Sequence, residues 1–215
     1  MNKVIFLFGL IIIGEISAYA SADAQYKEAG DEQKAEIISR ITAAAAEMQT
    51  MQCDFRQVKD LSFMNDKMLS EGRMYYKQSG KIRWEYLRPY KYVFAIDGRN
   101  IYQTAGDNTQ TTPIKSSKLL GDISRLMIGL ISGNGLADSR DFDVRILVSN
   151  DDCKLILTPL RKEMKALFTA VNLFVGKTDV RIRTVEMVEK SGDLTTITLL
   201  NIQTNIPLND DIFTN

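Results

Sequence analysis

The period of apolar positions changes several times along the chain, and each change marks an element. From Glu32 to Met48 the apolar residues Ile37, Ile38, Ile41, Ala44, Ala45 and Met48 follow the 3, 4, 7 spacing of one helical face. Directly after it, Met51, Cys53 and Phe55 alternate with Gln52, Asp54 and Arg56, which predicts a strand with one buried side. Further strands are predicted around Gly72 to Lys77, Ile82 to Leu87, Tyr92 to Ile96 and Ile101 to Thr104. The turn residues Ser79-Gly80, Arg88-Pro89 and Asp97-Gly98 separate them.

Between Ser116 and Ile131 the helical stripe returns through Leu119, Leu120, Ile123, Leu126, Met127, Leu130 and Ile131. Ser116 or Ser117 is placed to cap its start, and Gly133 with Asn134-Gly135 to stop it. The strand rhythm then resumes through DFDVRILVS, CKLILTP, ALFTAVNLFV, VRIRTVEMVEK and DLTTITLLNIQ. Phe142, Val144, Ile146 and Val148 share one face. Apolar parity switches between Val180, Ile182 and Val185, Met187, which predicts a bulge or strong bend. The strands form a largely antiparallel meander in which most offer one clearly apolar face; Tyr92 to Ile96 is apolar on both sides and is expected to be central. Such a sheet must curl around something or be covered, and the two helices supply the cover.

The N-terminus has its own pattern: Lys3, an apolar run from Val4 to Ile13, then small residues spaced Ala18-x-Ala20 or Ala20-x-Ala22. This is the layout of a secretory signal peptide over residues 1 to 20, cleaved near Ala20 or Ala22, with one domain over residues 21 to 215. The run is about half the roughly 20 residues that a spanning helix needs. Cys53 is the first cysteine, so no residue near the cleavage region can carry a lipid anchor. The expected product is an exported protein that is free in its compartment.

Charge and chemistry narrow the function. Twenty-seven basic and 27 acidic residues cancel, and the leader takes one of each with it, Lys3 and Glu15, so nothing favours a nucleic-acid partner. The chain has no histidine, which removes the commonest general base, the His-activated nucleophiles and most zinc sites. No nucleophile-elbow or phosphate-loop pattern occurs either, so neither catalytic residues, a metal nor a cofactor is expected. The acidic pairs Asp141 with Asp143, Asp151 with Asp152, and Asp210 with Asp211 read as solvated surface and turns. Cys53 and Cys153 can pair in an oxidising compartment or sit apart as core residues.

The stretch KIRWEYLRPYKYVFAIDGRNIY, Lys81 to Tyr102, holds the only tryptophan and four of the eight tyrosines. By strand parity Ile82, Trp84 and Tyr86 face inward, while Lys81, Arg83 and Glu85 face outward. Here the sequence resembles the LolA-type periplasmic carriers of bacterial lipoproteins. The pattern is Phe55-x-Gln57, Gly72 before an aromatic strand, Arg83-Trp84-Glu85-Tyr86, Pro89, and Asp97-Gly98 leading to Ile101-Tyr102; Leu157-Thr158-Pro159 and Asp211-Ile212-Phe213 fit more weakly.

The resemblance implies a mainly β fold: an incomplete antiparallel β-barrel of about ten or eleven strands, with two or three helices as a lid over a hydrophobic cavity. It implies a periplasmic monomer, and that acylated lipoproteins are taken from an inner-membrane ABC-type complex and passed to an outer-membrane acceptor protein or to the membrane itself. The cavity residues it suggests are Met51, Phe55, Ile82, Trp84, Tyr86 and Phe94 on the sheet, and Leu119, Leu120, Ile123, Met127 and Leu130 on the lid. Two departures stand out. Many relatives carry an arginine that holds the lid where this chain has Gln78, and they continue beyond the point where this sequence ends at Asn215. A lipid-binding sensor on the same half-barrel, or a structural module with a filled core, would share the same strand pattern.

Overall fold

A computed structural model describes residues 26–63, 66–116, 118–131, 136 and 141–214. The expected signal peptide and the expected stop at Gly133 to Gly135 lie outside these residues. Twelve strands form one antiparallel sheet: β1 (Lys27–Glu28), β2 (Thr50–Asp60), β3 (Lys67–Lys77), β4 (Lys81–Arg88), β5 (Tyr92–Ile96), β6 (Asn100–Ala105), β7 (Asn108–Pro113), β8 (Phe142–Val148), β9 (Asp152–Pro159), β10 (Phe168–Gly176), β11 (Ile182–Glu189) and β12 (Leu194–Thr204). The helices whose ends fall among the described residues are α1 (Asp31–Ala46), α2 (Lys118–Ile131) and the single turn α3 (Lys162–Lys165). In space the strands run β1-β8-β9-β10-β11-β12-β2-β3-β4-β5-β6-β7. The sheet is open, with β1 at one edge and β7 at the other, and β12 and β2 meet in its middle.

The mainly β architecture with a helical cover follows the sequence pattern, and the differences have simple causes. The strand β7, NTQTTP, is polar and exposed almost throughout, so no alternation betrays it; pairing with β6 alone forms it. The strand β1 is two residues long and is held by β8 and by the Tyr26 hydroxyl, which donates to Asp152 Oδ1 at 2.8 Å. Ser116 donates to the Pro113 carbonyl at 2.7 Å in the 3-10 turn before α2, and the other expected cap, Ser117, lies outside the described residues. The parity switch in β11 is a register shift: Phe174 faces Thr184 and Val175 faces Ile182, leaving Arg183 as the extra residue.

Two apolar clusters hold the sheet and helices together. In the first, Ile37 and Ile41 of α1 pack on Val144, Ile146, Leu155, Leu157, Val171 and Leu173 of β8, β9 and β10. In the second, Met51, Cys53, Phe55, Met74, Tyr76 and Ile82 of β2, β3 and β4 receive Met127, Ile128 and Ile131 from α2. Cys53 and Cys153 are buried, unpaired and in different clusters. Burial pushes the Cys53 thiol up to about 12, so it is held as an inert thiol.

The join between α1 and β2 is clasped by Asn205, the residue after β12. Its Oδ1 accepts from Gln49 N at 2.8 Å, its Nδ2 donates to the Glu47 carbonyl at 3.3 Å, and its own N–H donates to the Thr50 carbonyl at 2.9 Å. The last carbonyls of a helix lack intrahelical donors, and here a side chain from the far end of the chain supplies one.

Candidate functional site

Between the concave face of the sheet and the two longer helices lies an apolar cavity of about 650 Å3. Ile41, Ala44, Ala45 and Met48 of the α1 region and Met127, Leu130 and Ile131 of α2 form its cover. Met51, Met74, Trp84, Tyr86, Tyr92 and Phe94 form one half of the wall. Phe168, Val171, Val185, Met187, Ile197, Leu199 and Ile202 form the other. Strand alternation explains the set, because inward positions on neighbouring antiparallel strands come into line: Met74 faces Trp84, Trp84 faces Phe94, and Tyr86 faces Tyr92. Glu47, Asp179, Arg181, Thr204 and Asn205 add polar groups near the α1-β2 join. Five methionines line the space, and their unbranched, polarizable side chains make a wall that adapts to its contents.

The sequence-derived candidates divide into three groups. Met51, Trp84, Tyr86, Phe94, Met127 and Leu130 line the cavity. Phe55 and Ile82 do not: they are packed in the layer behind the wall, 2% and 0% exposed. Phe55 drops below the surface because its partner across the ladder is Gly72, whose missing side chain leaves the ring a bed. The ring lies 4.5 Å from Trp84 and 5.2 Å, edge-on, from Tyr86, and so supports both. Ile82 packs in the same cluster as Met51 and Tyr76. The side chains of Leu119, Leu120 and Ile123 lie outside the described residues. Sequence reading missed Met48, Met74, and the inward faces of β10, β11 and β12, although their alternation was visible; the aromatic hairpin drew attention to one half of the wall.

Gln78 sits in the β3-β4 turn, and its Nε2 donates to the Ala46 carbonyl at the end of α1, 3.1 Å away. Its backbone N–H also donates to the Gln49 carbonyl at 2.8 Å. The turn is thereby tied to the helix that covers the cavity.

The expected outer side of the aromatic hairpin is covered, not open. A 3-10 turn, Asp210–Phe213, lies against β4: Arg83 Nη1 donates to the Ile212 carbonyl at 3.1 Å, Asp210 pairs with Lys77 at 2.6 Å and Lys81 at 2.9 Å, and Phe213 is fully buried. The hydrogen bonds from Lys77 and Lys81 hold the Asp210 carboxyl below its usual range. At the far end of the hairpin, Asp97 Oδ1 accepts from the Arg99 and Asn100 N–H groups at 2.7 Å each, and Tyr102 donates to Oδ2 at 2.8 Å. Gly98 supplies the positive φ of 93° that this turn requires. Burial pushes Asp97 up, but these bonds outweigh it and hold the carboxyl low. Among the described residues no group of His, Cys, Asp and Glu side chains could hold a metal ion.

Comparison with known proteins gives the same picture. The family "Outer membrane lipoprotein carrier protein LolA" matches residues 46–215. An outer-membrane lipoprotein carrier protein of Methylococcus capsulatus is 26% identical over 81% of this chain and 81% of its own length. Another of the same description, from Nitrosomonas europaea, is 24% identical over 84% of each chain. In fold, an uncharacterized conserved protein from Thermus thermophilus superposes with a TM-score of 0.51 at 13% identity, over 84% of this chain and 92% of the other. With a sequence match over most of its length and an open sheet around an apolar cavity, the chain belongs to the LolA family of outer membrane lipoprotein carrier proteins.

Proposed function

We propose that, after cleavage of the leader, the protein is a non-enzymatic periplasmic carrier that shelters the acyl chains of lipoproteins between the inner and the outer membrane. The observation that carries this is the cavity: about 650 Å3, apolar on nearly all sides, and of the size range in which proteins enclose small ligands, roughly 300–1,000 Å3. A core filled by its own side chains, as in a structural module, would leave no such space. Lipid transfer requires it. Each methylene moved into water costs about 0.8 kcal/mol, so a chain of about fifteen costs about 12 kcal/mol and cannot leave a membrane unsheltered. Release is equally necessary, and a wall of methionine and aliphatic side chains with few polar groups binds chains without fixing one geometry.

The donor in this scheme is an inner-membrane ABC-type complex and the recipient an outer-membrane acceptor protein or the membrane itself. The residues assigned to contact acyl chains are Met51, Trp84, Tyr86, Phe94, Met127 and Leu130, with Gln78 holding the cover through α1. The test places a photo-crosslinking residue at Met127 and, separately, at Met51 in cells. Lipoprotein adducts at both positions are expected. A folded protein that yields none at either, and that takes up no apolar fluorescent probe when purified, refutes the carrier reading.

A further inference from the structure

The wall of the cavity is not uniformly inert, because at one end four polar side chains converge. Tyr86 lies opposite Tyr92 on the β4-β5 ladder, with Trp84 two residues before it on the same face, and Gln57 reaches them from β2. All four line the cavity. Their internal bonds leave a surplus of one kind. The Tyr86 hydroxyl donates to Gln57 Oε1 at 3.0 Å, which fixes the amide orientation and leaves the two Nε2 hydrogens over. Gln103 Nε2 donates to the Tyr92 hydroxyl oxygen at 2.9 Å, which leaves that hydroxyl's own hydrogen over. Trp84 Nε1 is buried and interacts with the Tyr86 phenol, but no protein acceptor meets it with full hydrogen-bond geometry. A buried N–H without a partner is costly and uncommon in native proteins, so a missing partner is the natural explanation.

What is left over is mainly donors, with lone pairs remaining on the phenol and amide oxygens: an indole N–H, an amide NH2 and a phenol O–H. None is charged, and no lysine or arginine belongs to the cluster, so an anionic headgroup is not what it fits. The matching group is a neutral acceptor carried on an apolar chain. We infer that Gln57, Trp84 and Tyr92 form a carbonyl subsite, which holds the ester or amide carbonyls at the head of the bound acyl chains while the apolar wall takes the chains themselves. This rests on the carrier reading above and adds to it a fixed depth and polarity for the ligand. Burial pushes the Tyr86 phenol up to about 12, so across the physiological range it stays the protonated donor that orients Gln57.

The test compares dipalmitoylglycerol, which carries two ester carbonyls, with the ether-linked dihexadecylglycerol, which has the same chain length and none. Each displaces an apolar fluorescent probe from the full mature protein. The ester is expected to bind roughly tenfold more tightly, since each neutral hydrogen bond contributes a few-fold. Tyr92→Phe and Gln57→Leu should each lower the ratio of ester to ether affinity, both affinities being measured on the same variant. Because Trp84 is the only tryptophan, its emission gives an independent reading on unmutated protein: the ester, but not the ether, should shift it to longer wavelength. Equal affinity for the two lipids with no difference in emission overturns the subsite and leaves the carrier reading standing. Failure of both lipids and of the probe to bind overturns the two together.

Discussion

Replacing Gly72 by alanine tests the support of the aromatic wall directly. A methyl group at this position would collide with the Glu85 backbone carbonyl and stand 2.6 Å from two atoms of the Phe55 ring. Neither neighbour yields easily. Glu85 is fixed in the β3-β4 ladder, and the Phe55 ring is held against Trp84 and Tyr86. Overpacking of this kind costs about 1–3 kcal/mol, and with backbone in the clash the upper end applies. Alanine returns about 0.5–1 kcal/mol by reducing backbone freedom in the unfolded chain. The clash wins, with a net loss of about 2 kcal/mol. For a domain of this size each kcal/mol shifts Tm by about 2–4 °C, so a fall of about 4–8 °C is expected in a thermal melt followed by circular dichroism. Trp84 emission should change too, because the ring beneath it must move. A Tm within about 2 °C of the unmutated protein, with unchanged emission, would show that the close approach does not support the wall.

Three further outcomes follow from the same geometry. Gln78→Ala removes an exposed bond to the Ala46 carbonyl, so Tm should move by less than about 2 °C while a bound apolar probe dissociates measurably faster in stopped flow; an unchanged off-rate would remove Gln78 from control of the cover. Asp193 accepts from the Ser62 N–H and hydroxyl at 2.9 and 3.0 Å, and the backbone bond above all lowers its carboxyl. Its stabilisation is therefore complete above the ordinary carboxylate value of about 4 and is lost as pH falls through the lowered folded value, so Asp193→Asn should flatten the loss of Tm between about pH 5 and 2. A parallel loss in both proteins would count against it. Finally, Cys53 and Cys153 should resist a thiol reagent in the native protein and both react once it is denatured; no reactive thiol in denaturant would mean that they are paired.

Much of the fold was legible because alternation and the 3.6 period reflect burial on one side of an element, and most strands of the concave sheet bury one side. The strand β7 was invisible because NTQTTP is formed by pairing and buries no apolar row. The site was legible in type more than in detail. Parity places Phe55 and Ile82 on the inward face with Trp84 and Tyr86, and it does so correctly, but parity carries no depth. A glycine across the ladder sinks one ring below the surface, while a neighbouring ring stands proud and faces the ligand space. Covering of the charged side of the hairpin by Asp210–Phe213 depends on a contact between distant segments, and no local pattern could announce it.

The meeting of β2 and β12 in the middle of the sheet bears on when this protein can fold. The seam joins the second strand to the last: Asn201 Nδ2 reaches Asp54 at 2.8 Å across 147 positions of chain. Closing so long a loop must be accomplished before its contacts repay the entropy, which makes the folding of such a topology slow. Until β12 emerges, no strand pairing joins the two halves of the curved wall, and a partly synthesised chain has no finished cavity.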